Sequence, residues 1–147
     1  MRAELFRPED LLLLEPQAAQ LMDIPEARRL EFGAQFAAEG SAFTLWDMTP
    51  RGLRPIFCGG ALRRYPTYAT LWALFSIHKP RVPVHLTRTV RRYVAGLTEA
   101  RVDAQVAADN RGACGWARLI GLVEETRLRA AMPDGGDMVI FVRKGTD

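Results

Sequence analysis

The sequence is short of the residues that build metal and redox sites. In 147 positions it has two cysteines, Cys58 and Cys114, and two histidines, His78 and His85. No Cys-x-x-Cys pair occurs, which excludes a zinc ribbon or a thioredoxin-like motif. Two histidines without carboxylates at ligand spacing give no metal site. Both thiols therefore read as small apolar core groups in a reducing cytoplasm. Long apolar runs are also missing, since Leu11–Leu14 is far too short to span a bilayer. The start, Met1-Arg2-Ala3-Glu4, lacks the apolar stretch of a secretory signal. No repeat, low-complexity tract or linker divides the chain, so one domain over 1–147 is expected.

The most informative absence is acid in the middle of the chain. Residues 1–47 hold nine acids and four bases, and residues 99–147 hold eight acids and seven bases. Residues 48–98 hold no acid and nine bases: Arg51, Arg54, Arg63, Arg64, Lys79, Arg81, Arg88, Arg91 and Arg92. Such a one-sign segment suits an anionic partner. Cofactor phosphates, nucleic acid or an acidic face of the same protein would each serve. No recognised nucleic-acid motif accompanies it, so nucleic acid is the least favoured.

What is present alternates between strand and helix patterns. A short strand over 2–7 is followed by Pro8, Glu9 and Asp10 opening a helix to Leu14. Pro16 ends that helix. Pro25 opens a second helix over 25–38, with Ala27, Leu30, Ala34 and Ala37 as its stripe, Phe32 and Phe36 beside it, and Gly40 closing it. Strands are expected at 42–47 and 54–64, where Gly59-Gly60 marks a bulge or a close backbone approach. Tyr68–Ile77 is almost wholly apolar and reads as a central strand buried on both faces. After a loop, a helix runs from Val84 to Ala95 on Leu86, Val90, Tyr93 and Leu97, with Arg88, Arg91 and Arg92 outward. A strand over 101–108 leads to Asn110, which caps a helix ending at Gly121. Two strands, about 123–131 and 137–143, finish the chain around Pro133-Asp134-Gly135-Gly136. The step from 68 to 108 predicts a parallel, right-handed crossover in a mixed, mostly antiparallel α/β (α+β) sheet with helices on both faces.

This order, together with particular residues, resembles the GNAT acetyltransferase superfamily over nearly the whole chain. Asp109-Asn110-Arg111-Gly112-Ala113-Cys114-Gly115-Trp116-Ala117-Arg118-Leu119-Ile120-Gly121-Leu122 is similar to the segment in which an Asn and an Ala open a helix ending in Gly-Phe. Leu71–Ser76 is similar to the central strand. The tryptophan-bearing strand followed by Thr87-Arg88-Thr89-Val90-Arg91-Arg92 resembles small GNAT-like proteins of tailed phages and prophages.

The resemblance implies an N-acyltransferase moving an acetyl group from acetyl-CoA to an amine. It implies that Leu74, Phe75 and Ser76 lie along the pantetheine arm and that Asn110 contacts it. It also places Arg81, Val82, His85, Leu86, Thr87 and Arg88 around the pyrophosphate, at a helix start where free N–H groups favour anions. Two features depart from the pattern. The phosphate loop has His85 and Thr87 where small residues are usual, and Ala117 stands where a tyrosine would protonate the departing thiolate. A non-catalytic phage or prophage protein of the same fold, a virion or assembly component, is therefore the competing expectation.

His78 follows the central strand and has suitable chemistry for a general base. Ser76 could stabilise a thiolate or only pair in the sheet. Trp46, Trp72 and Trp116 are expected in the core. The partners implied are acyl-CoA and an amine, with a homodimer left open.

Overall fold

The structure, a computed structural model, describes residues 1–17, 26–38, 40–78 and 81–145. Pro25, expected to open the second helix, and Lys79, one of the nine bases, lie outside the described residues. The elements run β1 (Arg2–Leu5), α1 (Asp10–Leu13), a 3-10 turn (Glu26–Arg28), α2 (Arg29–Ala38), β2 (Gly40–Thr49), β3 (Gly52–Tyr65), β4 (Tyr68–Phe75), α3 (Val84–Gly96), β5 (Arg101–Ala107), α4 (Arg111–Leu119), β6 (Leu122–Leu128) and β7 (Met138–Arg143). The seven strands form a sheet in the order β1-β2-β3-β4-β5-β7-β6. The β4–β5 ladder is parallel, as a helical crossover requires, and β1–β2, β2–β3, β5–β7 and β6–β7 are antiparallel. By contacts the chain divides into two compact units, 1–63 with 72–81 and 64–71 with 82–147, so β4 contributes residues to each.

In the first unit Phe6, Leu11, Leu14, Cys58 and Leu74 form a buried cluster, with Phe32, Phe36, Ala42 and Trp72 packed against it. Phe36 stacks on Trp72 at 4.3 Å, and Phe6 meets the same indole edge-on at 5.2 Å. The buried face of α2 is therefore Phe32-Gly33-Phe36, and the expected stripe is turned outward, with Leu30 at 49% exposure. The aromatic pair wins because each ring buries far more apolar area than an alanine. Gly40 does not close α2 but begins β2. An added Cβ there would lie 1.6 Å from the Ala61 carbonyl oxygen, and one on Gly60 would lie 2.1 Å from that of Ser41. The glycines thus serve a close strand approach, whereas the register shift falls at Leu45/Trp46.

Thr44, fully buried, donates from its hydroxyl to Asp10 Oδ2 at 2.7 Å and sits 3.6 Å from Cys58 Sγ. The backbone N–H of Arg7 donates to the same Asp10 oxygen at 3.0 Å. Burial pushes the Cys58 thiol up to about 12, as expected for an inert packed cysteine.

In the second unit Leu86, Val90 and Val94 are the buried face of α3, and Arg88, Arg91 and Arg92 are exposed. Asn110 caps α4 by accepting from the Ala113 N–H at 3.1 Å, as its position predicts. The β4–β5 ladder pairs Tyr68–Leu71 with Arg101–Ala104, although β4 continues to Phe75 and β5 to Ala107. A polar network ties that end. Buried Asp103 accepts from Tyr68 Oη (2.6 Å) and Thr70 Oγ1 (2.9 Å), and Arg101 lies 3.3 Å from it. Arg101 in turn makes a two-pronged bond to Glu125 at 2.7 and 2.9 Å.

Candidate active site

The end of β4 differs from the sequence expectation. Regular strand stops at Phe75, and Ser76 makes an isolated antiparallel bridge with Pro16. Successive strand residues turn their backbone groups to opposite edges. The Ser76 N–H donates to Ile56 O of β3 at 2.9 Å, so Phe75 and Ile77 address the other edge. There the Phe75 carbonyl accepts from the Gln17 N–H at 3.1 Å, and the Ile77 N–H donates to Glu15 O at 2.8 Å. Residues 15–17 thus take the Phe75 carbonyl, which the resemblance had offered to a pantetheine arm, together with the N–H of Ile77. Leu74 is buried in the apolar cluster, so its side chain faces the core.

Ser76 is also buried, at 1% exposure, and its Oγ accepts from the His78 N–H at 3.1 Å. This hydroxyl shapes the turn that presents His78. The His78 ring, partly buried, has Nε2 2.5 Å from Glu15 Oε2. The other Glu15 oxygen is 2.7 Å from Arg51 Nη1. A histidine oriented by a carboxylate through one nitrogen keeps the second nitrogen for a proton, the arrangement general-base chemistry needs.

Glu15 lies in a cleft of about 440 Å³ in the first unit, lined also by Leu12, Leu13, Pro16, Arg29, Arg51, Arg54 and Ile77. Sequence reading found His78 but missed Glu15. They stand 63 residues apart, and only the bridge of residues 15–17 to the end of β4 brings them together.

Of the remaining predicted contacts, Arg81 ends the first unit, and Val82, His85, Leu86, Thr87, Arg88 and Asn110 belong to the second. Pro83 is the N-cap of α3 and supplies no side-chain cap. The first backbone bond within the helix is from the Thr87 N–H to Pro83 O at 3.1 Å. The N–H groups of Val84, His85 and Leu86 therefore have no acceptor within the helix, and they point where an anion is favoured. Arg81, His85 and Arg88 are exposed and Val82 is half-buried. Leu86 is 2% exposed, so it can meet a ligand only through its backbone. Thr87 Oγ1 accepts from Trp116 Nε1 at 3.0 Å, which fastens α4 to the start of α3. Ala117 is buried and has no proton to give.

These elements in this order are those of the GNAT N-acetyltransferase fold, and solved structures bear this out. One assigned as a phosphinothricin N-acetyltransferase superposes with a TM-score of 0.75 at 15% identity, covering 99% of each chain. A GNAT-family acetyltransferase from Bacillus cereus gives 0.68 at 10% identity, over 99% of this chain and 98% of that one. The ribosomal-protein-S5-alanine acetyltransferase from Vibrio fischeri gives 0.65 at 13% identity, over 99% and 93%. At these identities the shared property is the fold. No family model and no curated protein matches the sequence.

Proposed function

We propose that the protein is an N-acyltransferase that moves an acetyl group from acetyl-CoA to an amine in the cytoplasm. The observation that carries this reading is the Glu15–His78 pair, held at 2.5 Å beside an open cleft in a chain with an acetyltransferase fold. His78 takes the proton from the attacking amine, and Glu15 orients the ring. Ser76 acts as a positioning residue through its bond to the His78 backbone. The acceptor amine, once deprotonated, attacks the thioester carbonyl, and the thiol leaves with a proton drawn from water, since Ala117 supplies none. Much of the rate then comes from holding amine and thioester together.

In this reading the α3 start of the second unit receives the cofactor. The N–H groups of Val84, His85 and Leu86 would meet the pyrophosphate, with His85 and Arg88 adding side-chain contacts and Val82 and Thr87 flanking them. Asn110 uses its Oδ1 in the cap, so its NH₂ group would make the pantetheine contact.

Calorimetric titration with acetyl-CoA, followed by thiol release with a panel of amines, tests the proposal. Binding together with turnover that falls roughly 100-fold in His78→Ala is expected. No heat at millimolar acetyl-CoA would overturn it.

The second reading is a non-catalytic phage or prophage component of the same fold. Ala117 and the occupied backbone at Phe75 and Ile77 favour it. Thiol release with any amine would remove it.

A further inference from the structure

Among the described residues lining the cleft of the first unit, cations outnumber carboxylates, with Asp47 opposite Arg54 in the β2–β3 ladder outside that lining. Of its lining residues, Arg29, Arg51 and Arg54 are cationic and Glu15 is anionic. Arg51 is matched by Glu15 at 2.7 Å. Arg54 donates only to the carbonyl of its neighbour Leu53, at 3.2 Å. Among the described residues neither Arg29 nor Arg54 forms an ion pair, so two guanidinium charges remain open on one wall. A guanidinium is a planar fork that matches a carboxylate in two-pronged geometry. The same wall would repel a polycation such as a linear polyamine.

The other parts of the cleft constrain the ligand further. Leu12 at 51%, Leu13 at 40% and Ile77 at 50% exposure supply an apolar wall for a short carbon chain. Among the described residues Glu15 offers the only carboxylate in the lining, and it is the group that holds His78. A volume of about 440 Å³ suits a small molecule.

We propose that this cleft takes a small acceptor amine whose far end is a carboxylate. Arg29 and Arg54 bind the carboxylate, the leucines and Ile77 bury the chain, and the amine lies toward Glu15 and His78. The amine half of this inference rests on the transferase reading above, whereas the carboxylate half does not.

The two halves separate in one pair of measurements. Glutarate, which carries no amine, is titrated into the protein without acetyl-CoA, and into Arg29→Gln and Arg54→Gln. Binding that weakens roughly tenfold in each variant, and weakens again as salt is raised, supports the carboxylate site. No binding at tens of millimolar, or binding indifferent to both substitutions, overturns it whatever acetyl-CoA does.

Thiol release is then compared for γ-aminobutyrate, butylamine and spermidine. A preference for γ-aminobutyrate that disappears in Arg54→Gln through a raised KM, with kcat little changed, supports the full inference. Preference for spermidine overturns it. Glutarate binding without turnover of any amine leaves the carboxylate site standing and removes the transferase reading instead.

Discussion

The two units treat their charges differently. In the second, one buried polar network is built from groups that satisfy one another. Asp103 is buried at 3% exposure among Tyr68, Thr70 and Arg101, and Arg101 also grips Glu125. Arg143 donates to the carbonyls of Val94, Leu97 and Glu99, closing the end of α3. In the first unit Arg29 and Arg54 make no ion pair among the described residues, and the Glu15–His78 pair stands beside a cleft. A buried network must be complete, because each unpartnered group inside costs its full desolvation. Charges left open on a cleft wall contribute little to stability and are available to a ligand. The second unit thus uses Asp103 and Arg101 to hold strands together, whereas Arg29 and Arg54 of the first stand beside a cleft.

Four substitutions break or sharpen this contrast. Asp103→Ala should have the largest effect on stability, about 3 kcal/mol, because it leaves the Tyr68 and Thr70 hydroxyls without their acceptor and removes one of the two carboxylates that face Arg101. Urea unfolding would show it, and a loss below about 1 kcal/mol would mean that the network is dispensable. Glu15→Gln should do the reverse. Its stability loss should stay below about 1 kcal/mol, as for other partly exposed pairs, while turnover falls at least tenfold. A variant equally active and measurably less stable would recast Glu15 as structural.

Cys58→Ala probes the packed thiol. The Cys58 thiol keeps its proton to about pH 12 when folded, against an ordinary thiol value of 9.0, so the folded state is the one that holds the proton between those values. Its contribution is complete below about 9 and is lost as pH rises toward 12. The alkaline decline in stability should therefore be shallower in Cys58→Ala than in the parent, as thermal melts across that window would show. The smallest effect is expected from Gly115→Ala within α4, where an added Cβ meets nothing within 4 Å. Helix propensity alone should raise stability by about 0.5–1 kcal/mol, readable as a higher unfolding midpoint.

Local signals carried the sequence reading where local physics decides the structure. Asn110 announces its helix because a side-chain oxygen there satisfies the free Ala113 N–H. Leu86 and Val90 recur at helical spacing and are buried as that spacing predicts. The α2 stripe failed because small alanines at a regular spacing gave way to Phe32 and Phe36, whose rings had Trp72 to pack on. Gly40 failed because nothing nearby in sequence reports how closely Ala61 approaches. Of the candidate site, His78 and the α3 start were proposed from residue type and position. Glu15, Arg29 and Arg54 were not, since no spacing rule joins them to residue 78.

The amino-acid order alone determined the sequence of strands and helices, the parallel crossover and the acid-free stretch that leaves arginines exposed. Those features depend on periodicity, turn residues and net charge, which act over a few residues at a time. The tertiary structure decided that Glu15 holds His78, that residues 15–17 rather than a ligand take the backbone at 75 and 77, and which arginines stay unpaired. Contacts between residues tens of positions apart form only when the chain closes on itself, and the geometry of that closure selects the partners.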